Sequence, residues 1–161
     1  MQRLLGAAGD PFHRTHLSPG HFTASAFVLH PDGAQVLLIL HSKLRRWLQP
    51  GGHIEPSDGD VFAAARREVA EETGLTALRL AQGRSLLDVD IHRIPPLRGE
   101  PAHRHYDLRV LFVAGAADHR AGSDAEGSRW VPLQDVHTVE SDASVQRAVT
   151  KIRALSQQPN R

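Results

Sequence analysis

The stretch Gly51-Gly52-His53-Ile54-Glu55-Pro56-Ser57-Asp58-Gly59-Asp60-Val61-Phe62-Ala63-Ala64-Ala65-Arg66-Arg67-Glu68-Val69-Ala70-Glu71-Glu72-Thr73-Gly74-Leu75 decides how the rest of the chain is read. Pro50-Gly51-Gly52 is a strong chain break. Asp60 is placed to cap a helix starting at Val61, Ala63 to Ala65 favour that helix, and Gly74 stands where a left-handed C-terminal cap belongs. The helix expected is therefore 61–73. The chain has seven glutamates, and four fall between residues 55 and 72. Glu68, Glu71 and Glu72 stand at i, i+3 and i+4, so one helix face carries all three. Like charges at that spacing repel, and the C-terminal end of a helix disfavours anions. A cation in front of them offsets both penalties. Oxygen-only ligands point to a hard ion, Mg²⁺ or Mn²⁺, rather than zinc. Phe62, Ala65 and Val69 form a neighbouring apolar stripe, so the helix can pack on a sheet while its acidic side faces a cleft. Arg67 is placed to pair with Glu71. An acidic helix face alone is equally a solvated surface. The glycine pair, which lets backbone approach a ligand, shifts the balance toward a site.

Composition agrees with one folded domain. The 161 residues, with 40% in the apolar set, suit a single globular unit, expected over residues 1–155 with a frayed tail at 156–161. The chain lacks cysteine, which excludes disulfides, thiolate metal sites and a cysteine nucleophile. A net charge of +1 advertises neither a nucleic-acid nor a membrane surface. The apolar runs, such as 36–40 and 110–114, are far shorter than the ~20 residues a membrane-spanning helix needs. Gly6, Gly9 and Asp10 interrupt the apolar N-terminus, so no secretory leader is read, and a cytoplasmic protein is expected.

Along the chain, a short helix is possible before Gly9-Asp10-Pro11. Residues 22–29 and 36–40 read as strands joined at Pro31-Asp32-Gly33, a hairpin. Residues 42–46 form a basic connector. Residues 86–94 and 106–114 read as further strands, 115–128 as a polar loop, 133–136 as a helical turn, and 142–155 as an amphipathic helix with Val145, Ala148, Ile152 and Leu155 near one stripe.

The segment Arg67-Glu68-Val69-Ala70-Glu71-Glu72-Thr73-Gly74-Leu75 resembles the second half of the signature of the Nudix hydrolase family and matches it fully. The first half departs from it: one extra residue lies between Gly52 and Arg67, and Asp58 stands where the family has a glutamate. In the family that glutamate mainly supports the loop, a role open to Asp58 or Asp60 with the extra residue absorbed at Gly59. The resemblance implies an α/β fold, the α/β/α sandwich of the family, with a mixed sheet and the signature as a catalytic loop–helix–loop. It implies a pyrophosphohydrolase that cleaves the diphosphate of a nucleoside diphosphate linked to another group. By matched position Glu68, Glu71 and Glu72 hold Mg²⁺ or Mn²⁺, with the Gly52 carbonyl as a further ligand. Glu68, Glu71 or a later-loop acid, for which Glu126 is the candidate, acts as general base. Arg67 orients the glutamates. The partner implied is a small nucleotide-type diphosphate, with no stable nucleic-acid partner, no membrane, and a monomer or homodimer. The alternatives are a non-catalytic Nudix-fold binding or sensor module, argued against by the intact carboxylates, and a diphosphate isomerase, suggested only by the 11 histidines.

Outside the signature, Lys43, Arg45 and Arg46 are candidates to grip a terminal phosphate or are a solvated turn. His53 is a candidate phosphate contact or a loop-packing residue. Trp47, Tyr106 and Phe112 are candidate base-stacking rings, with core packing the competing role. His103, His105 and Asp107 alternate, so they share one strand face. They form a candidate second metal site or a polar wall of the substrate cleft.

Overall fold

The computed structural model describes residues 1–97, 99–120 and 125–156. The helix α1 spans Gln2–Leu5. The strands are β1 (Gly20–Leu29), β2 (Gln35–His41), β3 (Arg46–Leu48), β4 (Gly51–His53), β5 (Leu78–Leu80), β6 (Asp88–Ile94), β7 (His103–Ala114) and β8 (Ala125–Pro132). Two longer helices complete the fold, α2 (Val61–Thr73) and α3 (Ala143–Ser156). The strands form one mixed sheet in the order β3-β2-β1-β7-β5, with β4 also on β1, β6 also on β7 and β8 also on β2. β1 and β7 run parallel through its centre, and every other pairing is antiparallel.

Side-chain alternation sorts the two faces. Ala24, Ala26, Val28, Leu37, Val110 and Phe112 face α2 and pack with Ala64, Ala65 and Val69. Phe27, Leu29, Val36, Leu38, Leu111 and Val113 face α3 and pack with Val145, Ala148, Val149 and Ile152. The sheet is thus sandwiched between the two helices, the α/β/α arrangement expected. A smaller cluster of Leu4, Phe22, Tyr106 and Leu108 closes the end near α1.

The expected caps on α2 are present. The Asp60 carboxylate accepts from Ala63 N at 2.9 Å. Gly74 is left-handed at φ 73°, where a Cβ would be strained, and its N–H returns to Ala70 O. The apolar stripe differs in one member: Ala64 is fully buried, while Phe62 is only partly covered and lies under the Arg84 guanidinium.

Three local expectations are corrected. β8 begins at residue 125, inside the stretch expected to be loop, because Ala125, Ser128 and Arg129 gain partners on β2 that local sequence does not reveal. The glycines after Pro50 are more than a break: Gly51, Gly52 and His53 pair with Ser25, Ala24 and Thr23. The turn expected at 133–136 runs further: a hydrogen-bonded turn at 133–135 leads directly into a 3₁₀ turn at Val136–Thr138. Of the tail, Ser156 ends α3, and residues 157–161 lie outside the described residues.

Candidate active site

Gly51 and Gly52 bring the backbone of β4 against the acidic face of α2. A Cβ on Gly52 would fall 2.5 Å from Glu68 Oε1, an overlap only glycine avoids. Gly51 N donates to Glu72 Oε2 at 2.9 Å. Arg67 occupies the centre of the group. Its guanidinium donates to both Asp58 oxygens at 3.1 and 2.9 Å, to Glu68 Oε1 at 2.8 Å, to Glu71 Oε2 at 3.2 Å and to the His53 carbonyl at 2.8 Å. Asp58 also accepts from Glu55 N at 2.8 Å, which closes the loop before α2. The shorter acid therefore performs the supporting task expected of it, and Asp60 caps the helix one residue beyond Gly59.

The electrostatics follow from this geometry. Hydrogen bonds from Arg67 hold the Asp58 carboxyl below its ordinary range. Burial pushes the Glu68 carboxyl up; Arg67 pulls it back, and the Glu71 and Asp58 charges add to the rise. One guanidinium thus faces several carboxylates, and Glu68 is held in a state that favours gaining positive charge, from a proton or a cation. Glu71 is exposed on the outer side of the group. The donor set, carboxylate oxygens beside a glycine backbone, fits a hard divalent ion.

A cavity of about 650 Å³ opens beside this group. Gly51, Gly52 and His53 line it on one side and Asp90, His105 and Arg147 on the other. Its floor is a buried polar network that sequence reasoning missed. Asp107 accepts from Thr23 at 3.2 Å, from Ser25 at 2.8 Å and from Arg109 Nε at 2.9 Å. Arg109, 2% exposed, also donates to the carbonyl and hydroxyl of Ser144 at 3.1 and 2.7 Å, tying the sheet to the start of α3. Asp88 accepts from Lys151 at 2.6 Å and Arg147 at 2.8 Å, and Asp90 accepts from Arg147 at 2.8 Å. Burial raises both carboxyls, but these cations outweigh it and hold them below their ordinary values. The available signal was charge at every second position in two strand-like stretches, Asp88/Asp90 and Asp107/Arg109.

The other candidates scatter. His53 lines the cavity, and burial followed by the charge of Arg14 lowers its pKa. Lys43 and Arg46 are exposed near the β2–β3 turn and are not among the cavity-lining residues. Arg45 of the same turn is ion-paired with Glu126 on β8, and both are exposed, outside the cavity lining. Tyr106 is 3% exposed and Phe112 fully buried, so packing takes both rings out of reach of a base, a correction to the stacking role for Tyr106. Trp47 is half-buried and stacks with the Arg129 guanidinium, 4.0 Å from the ring centroid. Asp107 is committed to Arg109 and the two hydroxyls, whereas His103 and His105 meet His21 instead.

The NUDIX domain family pattern matches residues 19–151, and the chain belongs to that family. A Bacillus subtilis (strain 168) protein provisionally named 8-oxo-dGTP diphosphatase is 28% identical over 111 residues; the match covers 68% of this chain and 66% of that protein, just under two thirds of its length. A Nudix-family hydrolase from Clostridium perfringens has a similar structure, with 25% identity, a TM-score of 0.62, and coverage of 84% of this chain and 97% of that one. The E. coli dihydroneopterin triphosphate pyrophosphohydrolase shares the fold at 16% identity and a TM-score of 0.64, covering 81% and 92% of the two chains. Among the described residues, no helix is long and apolar enough to cross a membrane.

Proposed function

We propose that this chain hydrolyses a diphosphate linkage in a small nucleotide-type substrate, using Mg²⁺ or Mn²⁺ held by Glu68, Glu71 and Glu72 with the Gly52 carbonyl. The observation that carries this reading is the Arg67 hub, which gathers Asp58, Glu68 and Glu71 beside a glycine backbone on which an added Cβ would fall 2.5 Å from Glu68 Oε1. The provisional name of the Bacillus protein, an 8-oxo-dGTP diphosphatase, supports the reaction class. When bound, such an ion neutralises diphosphate charge and acidifies water.

The protein's own part is positional. Arg67 fixes the carboxylates in register and keeps Asp58 from drifting into the site. Glu68, with its raised proton affinity, is suited to take a proton from water at Oε1 or Oε2, and Glu71, exposed, is the second candidate base. The glycine at position 52 lets the Glu68 carboxylate lie against the backbone of β4, where a side chain would displace it. Glu126, on β8 and ion-paired with Arg45, stands outside the cavity lining.

The test is a substrate panel of nucleoside triphosphates including oxidised ones, nucleotide sugars, ADP-ribose, NADH and dinucleoside polyphosphates, run with Mg²⁺, Mn²⁺ and chelator. Metal-dependent turnover of one class is expected, with Glu72→Gln lowering kcat at least ~10²-fold because it removes a charge that holds the ion. Silence across the panel, or a Glu72→Gln rate within a few-fold of wild type, overturns the reading.

A further inference from the structure

Five histidines from four different strands converge at one end of the sheet. His21 on β1 and His105 on β7 are direct partners in the parallel pairing, and His92 on β6 is the partner of His105 on its other side. His103 lies two residues before His105 on the same face, its ring centroid 5.3 Å from that of His105 and 5.2 Å from that of His21. His53 on β4 closes the group, 5.1 Å from His21 and 5.4 Å from His105 between centroids. Ligating nitrogens of His21, His103 and His105 lie within 4.8 Å of one another.

Two hydrogen bonds set the tautomers. The Nδ1 of His103 is 2.9 Å from the Pro101 carbonyl, and the Nδ1 of His21 is 3.3 Å from the His16 carbonyl. A carbonyl only accepts, so each Nδ1 carries the proton and each Nε2 keeps its lone pair. This is the arrangement by which an outer carbonyl fixes a metal-binding imidazole. His21 is 1% exposed, and its Nε2 is buried with no hydrogen-bond partner among the described residues. An orphaned buried acceptor is costly. Neither the carboxylate hub around Arg67 nor the network around Arg109 uses these nitrogens.

We propose that His21, His103 and His105 form a second metal site, separate from the carboxylates of α2, for a borderline-soft divalent ion of the Zn²⁺ class. Three imidazoles without thiolate or carboxylate select such an ion over Mg²⁺. Nitrogens bound to one tetrahedral Zn²⁺ at ~2.0–2.1 Å stand roughly 3.3 Å apart, so the three rings close in by about 1 Å to bind it. His105, the only one of the three that is not fully buried and lines the cavity, is the ring with room to make that movement. The remaining position goes to water or to an oxygen anion entering from the cavity, with His53 beside it.

Zn²⁺ binding to the chelator-treated full chain tests this, measured by competition with a chromophoric chelator. The wild type, the Glu68→Gln/Glu71→Gln/Glu72→Gln variant and His105→Ala are compared, each first shown to melt cooperatively. One Zn²⁺ is expected in the wild type, with affinity kept within about threefold in the glutamine variant and weakened at least ~30-fold in His105→Ala. Histidine ¹⁵N spectra of the wild type supply a reading that needs no variant: Zn²⁺ should shift Nε2 of His21 and His103 and leave their Nδ1 protonated. The proposal fails if the glutamine variant loses Zn²⁺ while His105→Ala keeps it, if the wild type binds none at tenfold excess, or if only other histidines shift. Loss of hydrolysis in the glutamine variant bears on the carboxylate site alone, so the two readings stand or fall separately.

Discussion

The α3-facing side of β1 and β7 changes character halfway along. At one end it presents His21, Thr23 and Ser25 beside His105, Asp107 and Arg109; at the other, Phe27 and Leu29 beside Leu111 and Val113. The opposite side of the same two strands is almost wholly apolar, from Phe22 to Val28 and from Tyr106 to Ala114. Apart from His105, which is only partly buried, burial is similar throughout, so burial is not the difference. The apolar end holds α3 by non-directional packing, whereas the polar end must satisfy every charge and hydrogen bond in a set geometry. The polar end is also the end at the cavity. A site that must bind a charged substrate has its pre-set dipoles there, at a cost in stability that the apolar end offsets.

The sharpest way to break the contrast is at neighbouring positions of β7. Arg109→Ala leaves Asp107 buried without its cation and should cost about 3–5 kcal/mol in urea unfolding. Replacing both partners, Asp107→Leu with Arg109→Met, should recover at least half of that loss, because no charge is then orphaned. Leu111→Ala, one step into the apolar end, should cost about 2–5 kcal/mol, and no partner replacement should rescue it, since a cavity and not a charge is left. If the double variant is as unstable as Arg109→Ala, the polar end is not governed by charge pairing.

Acid separates the two ends next. Asp88 and Asp90 have folded pKa values below their unfolded ones, so their contribution is complete above about pH 4 and is lost as pH falls through the folded values. The melting temperature should therefore drop below pH 4 in the wild type and drop less in Asp88→Asn, whereas Leu111→Ala should keep the wild-type slope. An unchanged slope in Asp88→Asn contradicts this account.

At the rim the effects shrink. Arg147→Ala removes a partly exposed cation from Asp88 and Asp90, but Lys151 remains, so a loss of about 1 kcal/mol is expected by the same unfolding assay. Arg129→Ala loses a stack on Trp47 and should cost about 0.5–1 kcal/mol, with Mn²⁺ affinity unchanged in a titration. A large change in that affinity would link the β2–β8 edge to the metal site.

The helix α2, its two caps, the three glutamates on one face and the pairing of Arg67 were legible in the sequence. A helix repeats every ~3.6 residues, so local spacing fixes which side chains share a face. The supporting acid was legible from the family pattern only as Asp58 or Asp60, and the folded loop gives the task to Asp58, whose carboxylate Arg67 holds. The two sandwiching helices and the central strands followed from periodicity and from the family pattern. The start of β8 and the pairing of Arg45 with Glu126 were not, because each depends on a partner far along the chain. The same holds for the network of Asp88, Asp90, Asp107, Arg109 and Arg147, and for the meeting of His21 and His53 with His103 and His105. Alternation says that residues on one strand share a face; only the register between strands decides which faces coincide, and a shift of one residue would turn His105 away from His21. The sequence alone determined the carboxylate helix, and tertiary pairing alone placed the histidines and the buried charges around the cavity.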